Sequence, residues 1–218
     1  MNWIAENAAL IAQLTLTHLS ISLAAFLIGS TLALVLARAL GRRSAAFAVV
    51  VLSAIYAVPS LALFVLLPPL IGTPFLGPTN VIIALSLYAS ATMFFVARDA
   101  FGSIDNSVLS YAKAQGFSTL QTIRHVELSL ALPALIAGLR VVAASTVSLA
   151  SIGAVVGVRN LGYLFLDGFQ RRIAEEIVVG IVMTAAIALL CDAGLWALGR
   201  RLTPWSRPRS IALGGARG

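Results

Sequence analysis

The sequence predicts an all-α integral membrane protein of about five transmembrane helices, with its N-terminus outside and its C-terminus in the cytoplasm. Of the 218 residues, 60% are hydrophobic and 11% are charged, whereas soluble domains are roughly 25% charged. The mean hydropathy is +0.98. The apolar residues form separate runs, each close to the ~20 residues that a helix needs to cross a hydrocarbon core. The composition therefore excludes an ordinary soluble domain.

Each predicted span is an apolar run whose ends are marked by charged residues or by turn-forming Gly and Pro. The first span, 17–37, follows a mildly amphipathic outer segment, and the second, 47–71, contains Pro59 and ends after Pro68-Pro69. The remaining elements follow from the same rule: spans 80–97, 133–158 and 177–198, a polar segment 98–132, an outer connection 159–176, and a basic tail 205–218 after a single domain 1–204.

The side of the membrane follows from the basic residues, because cytoplasmic segments carry an excess of Lys and Arg. An N-terminus outside places most of them inside, with Arg140 left uncounted within the fourth span. The polar segment is then cytoplasmic, and the net charge of +7 needs no nucleic acid as a partner. The inner residues are Arg38, Arg42, Arg43, Arg98, Lys113, Arg124, Arg200, Arg201, Arg207, Arg209 and Arg217, and the outer ones are Arg159, Arg171 and Arg172.

The polar segment carries helix-capping signals. The Asp, Asn or Ser at 105–107 can cap a short helix, because each offers a side-chain oxygen to unpaired N–H groups of the first turn. Gly116 suits the left-handed residue that ends such a helix. Ser118-x-x-Gln121 has the spacing of a capping box, which starts a second helix. We therefore expect two short helices bent at Gly116.

One face of the second helix is mainly polar, while Leu120 and Ile123 lie away from most of it. Such a segment can pack one side and present the other to a partner, although its spacing alone is equally compatible with a solvated connection between two spans. The face holds Gln121, Arg124, His125 and Leu128, at i, i+3, i+4 and i+7.

The run from Ser110 to Pro133 resembles the cytoplasmic coupling loop of permease subunits of ABC importers. That family pattern reads Glu-Ala-Ala, three residues, Gly, nine residues, Ile, one residue, Leu-Pro. Gly116 matches the loop glycine, Ala112 the second Ala, and 126–128 the Ile-x-Leu. The resemblance and the capping pattern assign ATPase coupling to Ala112, Gly116, Ser118, Gln121, Arg124, His125 and Leu128.

Three positions depart from the family pattern. Ser110 replaces the Glu, Tyr111 replaces the first Ala, and Ser129 replaces the Pro, although Pro133 follows shortly after. A missing carboxylate can weaken a contact to the ATPase or within the permease, so Ser110 is not assigned a role.

Three further stretches, 58–63, 132–140 and 191–204, resemble permeases of osmoprotectant importers of the glycine betaine, choline and carnitine type. This resemblance covers nearly the whole chain. It implies a type I importer fold in the bacterial inner membrane, built from two permease chains, identical or paralogous, two cytoplasmic ATPases and an extracytoplasmic solute-binding protein. A methionine or other amino-acid importer permease of similar length is the alternative.

No nucleotide-binding loop of the form Gly-x-x-x-x-Gly-Lys-Ser/Thr occurs in the sequence. ATP hydrolysis is therefore expected on a separate subunit, with no catalytic residue and no cofactor in this chain. His18 and His125 have no Cys partners, so no metal site is predicted. A stand-alone secondary transporter is less favoured, because no internal repeat is apparent and few ionisable groups lie in the spans.

Pro59 lies inside the second predicted span, where it removes one backbone hydrogen bond and frees the carbonyl of Ile55. That carbonyl either belongs to a packing kink or faces a translocating cation. Aromatic faces also attract quaternary ammonium ions, although ordinary packing is the other interpretation of these rings. The candidate substrate path consists of Tyr56, Pro59, Ser60, Tyr88 and Ser90.

Two charges lie deepest in the last two spans. Arg140 follows Pro133 by seven residues and Asp192 precedes Arg200 by eight, so antiparallel helices would bring both to a depth of roughly 10–12 Å. Charges at membrane depth usually pair. We predict an intramembrane pair between Arg140 and Asp192. The alternative is that Arg140 reaches the inner surface while Asp192 meets a terminal arginine.

The outer connection is expected to form a lip that contacts the solute-binding protein. Gly157, Gly162 and Gly168 allow tight bends, and the apolar residues between them can lie on the membrane surface.

Overall fold

A computed structural model describes residues 2–74 and 77–206. Residues 207–218, which form most of the expected basic tail and contain Arg207, Arg209 and Arg217, lie outside this description. The helices are α1 (Asn2–Glu6), α2 (Ala8–Ala39), α3 (Arg42–Ala57), α4 (Ser60–Ile71), α5 (Pro78–Gly102), α6 (Asn106–Ala114), α7 (Thr119–Gln121), α8 (Leu128–Ala150), α9 (Gly162–Arg171) and α10 (Ala174–Leu202), with a π-helical turn at Thr122–Glu127 and 3-10 turns at Ser151–Val156 and Pro204–Ser206.

Four helical stretches of the described chain are long and apolar enough to cross a membrane, and α3 with α4 forms a bent fifth candidate. The four are Ala8–Ala39, Pro78–Gly102, Thr119–Val156 and Ala174–Leu202. A helical fold with four or five candidate spans confirms the coarse fold class that composition predicts.

The helices extend beyond the apolar runs that predict them. α2 begins at Ala8 rather than near residue 17, and α5 continues to Gly102. The helix that contains the fourth span begins at Thr119, so both ends of the polar segment 98–132 are helical. The cause is physical: hydropathy marks only the stretch that lipid would cover, whereas backbone hydrogen bonds continue a helix past that limit.

The second predicted span is two helices rather than one kinked helix. The chain bends by 109° between α3 and α4. Pro59 lacks an N–H, and the residue before a proline disfavours the helical region, so the helix cannot continue through this point. Val58 is accordingly extended, with φ −69° and ψ 131°. The expectation of a freed Ile55 carbonyl is wrong, since this oxygen accepts from the Val58 N–H at 3.2 Å. The Val58 carbonyl instead accepts from the Tyr88 hydroxyl.

The core surrounds α5. In the most apolar 18-residue stretch of α5, 67% of the residues are buried, against 11% in the corresponding stretch of α10. Small residues allow its close contacts: a Cβ on Gly29 of α2 would lie 2.6 Å from the Ala89 Cβ, and one on Gly138 of α8 would overlap Val96. α5 is therefore the central element on which α2, α3, α4 and α8 pack.

Candidate coupling segment and substrate path

The coupling segment, named for the role that the sequence predicts and defined here as residues 105–128, is held by local hydrogen bonds. The Asp105 carboxylate accepts from the Ser107 N–H at 2.8 Å and caps α6. This bond, with a further one from the Ser107 side chain, lowers the pKa of Asp105 below its ordinary value. Of the three capping residues that the sequence leaves open, Asp105 is the one that caps the helix.

Gly116 ends α6 in the left-handed region, with φ +85°. The Phe117 N–H donates to the Ala112 carbonyl at 3.2 Å, and the Gly116 N–H donates to the Lys113 carbonyl at 3.0 Å. This pair of bonds is the Schellman motif, which requires a left-handed residue at the position of Gly116. The expected bend is confirmed.

The expected capping box is also confirmed. The Gln121 side-chain oxygen accepts from the Ser118 N–H at 2.8 Å, and the Ser118 hydroxyl accepts from the Gln121 N–H at 3.3 Å. The helix that begins here continues through the π-helical turn into α8 without a break. The expectation that this second helix is short is therefore wrong: it joins the segment to a span as one continuous helix of 38 residues.

Most of the coupling segment is exposed, and Ala112 is the one buried residue between 105 and 121. The structure places Gln121, Arg124 and His125 on the exposed side, while Thr122 and Glu127 face inwards. Leu128 is also exposed, at 41%. Leu120, which the sequence places away from most of the polar face, is 73% exposed and does not pack inwards. The structure thus presents a surface of mixed polar and apolar side chains.

A contact that sequence reasoning missed anchors the end of this segment. Glu127 accepts from Arg38 Nε at 2.7 Å and from Arg38 Nη2 at 3.1 Å. Close by, Arg98 Nη1 donates to the Ala37 carbonyl at 3.2 Å, at the end of α2. The available signal was Glu127 itself, the only acidic residue between Asp105 and Asp167, standing at the start of an apolar run.

Four of the five candidate path residues lie together at the break between α3 and α4. The rings of Tyr56 and Tyr88 meet edge to face, with centroids 6.0 Å apart. Tyr56 is 56% exposed, whereas Tyr88 is buried and bonded to Val58. Pro59 and Ser60 lie at the break itself. Ser90 does not join them: it is buried, its hydroxyl bonds the Leu87 carbonyl at 2.8 Å, and its backbone lies against Gly29.

The structure brings Arg140 and Asp192 into bidentate contact. Arg140 Nε lies 2.6 Å from one carboxylate oxygen and Nη2 lies 2.7 Å from the other. Their side chains are 36% and 35% exposed. The pair joins α8 to α10 and is partly exposed.

The outer segment, named for the side that the sequence predicts and defined here as residues 151–173, is packed into the bundle. Asn160 is fully buried; its amide donates to the Ala150 carbonyl at 2.8 Å, and its oxygen accepts from the Gly162 N–H at 2.7 Å. Gly157 forms a left-handed turn as expected, with φ +84°. Gly162 and Gly168 do not form bends. They lie inside α9, where a Cβ would meet Ser151 or Ile177.

These features are those of a multi-span helical membrane protein in which one candidate span is broken beside two tyrosines and an exposed segment continues as helix into another candidate span. The family model described as binding-protein-dependent transport system inner membrane component matches residues 12–207. The chain therefore belongs to this family, whose members are permease subunits of ABC importers.

Individual relatives give the same result. The chain is 30% identical over 204 residues to the glycine betaine/carnitine/choline transport system permease protein OpuCD of Bacillus subtilis, covering 91% of this chain and 87% of that one. It is 31% identical over 172 residues to the choline transport system permease protein OpuBD of the same organism, covering 78% and 75%. An inward-facing structure of the MetNI methionine ABC transporter matches with a TM-score of 0.81 at 18% identity, covering 91% and 98%, which shows the fold alone.

Proposed function

We propose that the chain forms the translocation path of an ATP-driven importer for a quaternary ammonium osmoprotectant such as glycine betaine, choline or carnitine. The observation that carries this proposal is similarity along nearly the whole chain to permeases named for those solutes. The methionine transporter shares the fold at 18–20% identity, so an amino-acid substrate is the second candidate.

The orientation proposed here has the N-terminus outside and the coupling segment in the cytoplasm, where it docks a separate ATPase subunit. The excess of basic residues on that side supports this orientation. The exposed Gln121, Arg124 and His125 form the proposed docking face, with Leu120 and Leu128 beside it. A local framework of caps keeps this face ordered before the partner binds, which lowers the entropic cost of docking.

The break between α3 and α4 is the proposed solute contact. Tyr56 offers an exposed ring and Tyr88 an edge against it, and aromatic faces attract quaternary ammonium groups by about 0.5–2 kcal/mol. The C-terminal end of α3 adds carbonyl dipoles that favour a cation. One exposed ring gives only weak binding, as a path that must release its solute requires.

Two ion pairs are the proposed relay from the ATPase into the membrane. Arg38–Glu127 ties the end of the coupling segment to α2, and Arg140–Asp192 ties α8 to α10. A displacement of the coupling segment would therefore reach both neighbouring spans. On the opposite side, the connection 159–176 is the proposed contact for a solute-binding protein, and a second permease chain, identical or paralogous, completes the path.

The test is uptake into proteoliposomes that contain this chain with its ATPase and binding protein. We expect radiolabelled glycine betaine, choline or carnitine to accumulate only when ATP is inside. Tyr56→Leu should lower uptake of these solutes, while Tyr56→Phe, which keeps the ring, should retain it. Uptake of methionine alone would favour the second candidate, and uptake without the ATPase would indicate a secondary transporter.

The Arg140–Asp192 pair has its own test. Arg140→Ala and Asp192→Ala should each lower uptake or assembly, since each leaves the other charge without its partner. The charge-swapped double variant should recover part of the loss. Additive losses without recovery would mean that the two residues act independently.

A further inference from the structure

Glu176 is a buried carboxyl group in the first turn of α10 that the proposed transport mechanism does not use. The residue is 1% exposed, and its Oε2 atom is buried without an N–H or O–H donor among the described residues. The packing around it is tight, because a Cβ on Gly168 of α9 would lie 3.1 Å from the Glu176 Cβ. A carboxylate at this position would lose its hydration without gaining a donor, which is strongly unfavourable.

The polar group that Glu176 contacts is a second carboxyl. Its side chain hydrogen-bonds that of Asp167 on α9, and two carboxyl groups can share a hydrogen bond only when one of them carries a proton. Asp167 already accepts from Arg171 Nη1 at 3.0 Å, so its negative charge has a partner. Glu176 forms no ion pair with the described residues. The proton therefore belongs on Glu176.

The charged groups around Glu176 agree with this assignment. Asp167 and Arg171, both on α9, interact with it, and Arg171 also interacts with Tyr163 on the same helix. The helices α1, α2 and α8 pack on α10 as well, but in the described part of the chain they bring no charged group to Glu176. The N-terminal end of α10 favours a carboxylate, although this effect is smaller than the desolvation of a buried charge. With Glu176 protonated, the three interacting groups Arg171, Asp167 and Glu176 are neutral overall.

We propose that Asp167 and Glu176 share one proton, and that this proton holds α9 against α10. The two residues lie on either side of the turn between these helices, where the Ile173 N–H also donates to the Gly168 carbonyl at 2.8 Å. Loss of the proton would leave two adjacent carboxylates beside one arginine, and like charges in contact repel. α9 would then separate from α10, so the conformation of the outer segment depends on pH.

Infrared spectroscopy of the purified full chain in detergent tests the position of the proton, and it does not depend on transport or on membrane orientation. A protonated carboxyl group has a C=O stretch separate from that of a carboxylate, and exposed carboxyl groups are ionised at neutral pH. We expect one such band at neutral pH. Glu176→Gln should remove it, whereas Glu175→Gln, at the exposed neighbouring position, should leave it unchanged. A band that is absent from the wild type, or that survives Glu176→Gln, would overturn the proposal.

Hydrogen exchange of the α9 amides tests the effect of the proton on the helix. Opening of α9 would release one proton wherever the closed pair holds it and an exposed carboxyl does not. The opening equilibrium, corrected for base exchange rates, should then rise about tenfold for each pH unit. Glu176→Gln keeps the size of the side chain and supplies an N–H donor to Asp167, so its opening equilibrium should not change with pH.

Glu175→Gln is the matched control for exchange and should keep the wild-type slope. A wild-type profile without a slope would mean that no proton holds α9 in place. An undiminished slope in Glu176→Gln would assign the pH dependence to another group and would equally overturn the proposal.

Discussion

The coupling segment and the outer segment lie at opposite ends of α8, and they are held in different ways. In the coupling segment, the caps at Asp105 and Ser118 and the Schellman motif at Gly116 bond neighbours in sequence. In the outer segment, Asn160 reaches back ten residues to Ala150, and Leu161 and Leu164 are fully buried. The first is shaped by its own sequence and the second by what packs around it.

This difference fits the proposed roles. A surface that a partner repeatedly binds and displaces has to keep its conformation without support from the buried core. Local helix caps stabilise that conformation. A segment that closes one end of the bundle can draw its order from buried contacts instead. Substitutions should therefore separate the two segments, with global loss of stability at the outer one and local or functional loss at the inner one.

The largest effect is expected from Asn160→Ala. It leaves the Ala150 carbonyl and the Gly162 N–H without their partner in a buried position, which should cost about 3 kcal/mol at 1–3 kcal/mol for each unsatisfied group. The measurement is the free energy of unfolding of the purified chain in mixed micelles. Asn106→Ala, at an exposed site in the coupling segment, is the control and should cost little. Equal losses would mean that the two segments are held alike.

Next in size is Glu127→Ala, at the point where the coupling segment enters the bundle. The Glu127 side chain is 11% exposed and its Arg38 partner is 40% exposed. The loss in the free energy of unfolding should therefore lie between the values for surface and buried ion pairs, at about 2 kcal/mol. ATP-dependent uptake should also fall. Exchanging the charges, as Arg38→Glu with Glu127→Arg, should restore part of both losses. A double variant worse than either single one would argue against a pairwise contact.

Gly116→Val should affect the coupling segment alone. A Cβ there meets nothing within 4 Å, so the cost is backbone strain of about 1–3 kcal/mol at the left-handed position. We expect the unfolding midpoint of the bundle to change little while ATP-driven uptake is lost. Gly116→Asn, which tolerates the same conformation, should keep uptake. If the valine variant transports as wild type does, the bend is not needed for coupling.

The smallest effect is a pH dependence of α6. The pKa of Asp105 is lowered because its carboxylate accepts from Ser107. The stabilisation is therefore complete above the ordinary carboxyl pKa and is lost as pH falls through the lowered folded value. Hydrogen exchange of α6 amides should accelerate across that range relative to base exchange rates, and Asp105→Asn should remove the dependence. An unchanged profile in the variant would assign it to another group.

The same contrast explains what the sequence could predict. The caps and the Gly116 bend were readable because each depends on residues within five positions of one another. Arg140–Asp192 joins two distant helices but was predictable, because both charges lie deep in neighbouring spans at similar depth. Arg38–Glu127 and the Asn160 bonds carry no such signal and were missed, because they depend on which helices pack together. Pro59 indicated a disturbance in the second span. It did not indicate that the Tyr88 hydroxyl would bond the Val58 carbonyl, or that the chain would bend by 109° between α3 and α4.

The helix from Thr119 to Val156 contains 38 residues, which corresponds to roughly 55 Å at 1.5 Å per residue. This exceeds the ~40–45 Å thickness of a bilayer with its headgroups. When this helix tilts as one body about a point at mid-membrane, its two ends move in opposite directions, and a tilt of about 5° moves each end by some 2–3 Å. Pro133 and the π-helical turn at Thr122–Glu127 are two places where this helix can bend, so the stiffness at those two places would set how much of a displacement at one end reaches the other.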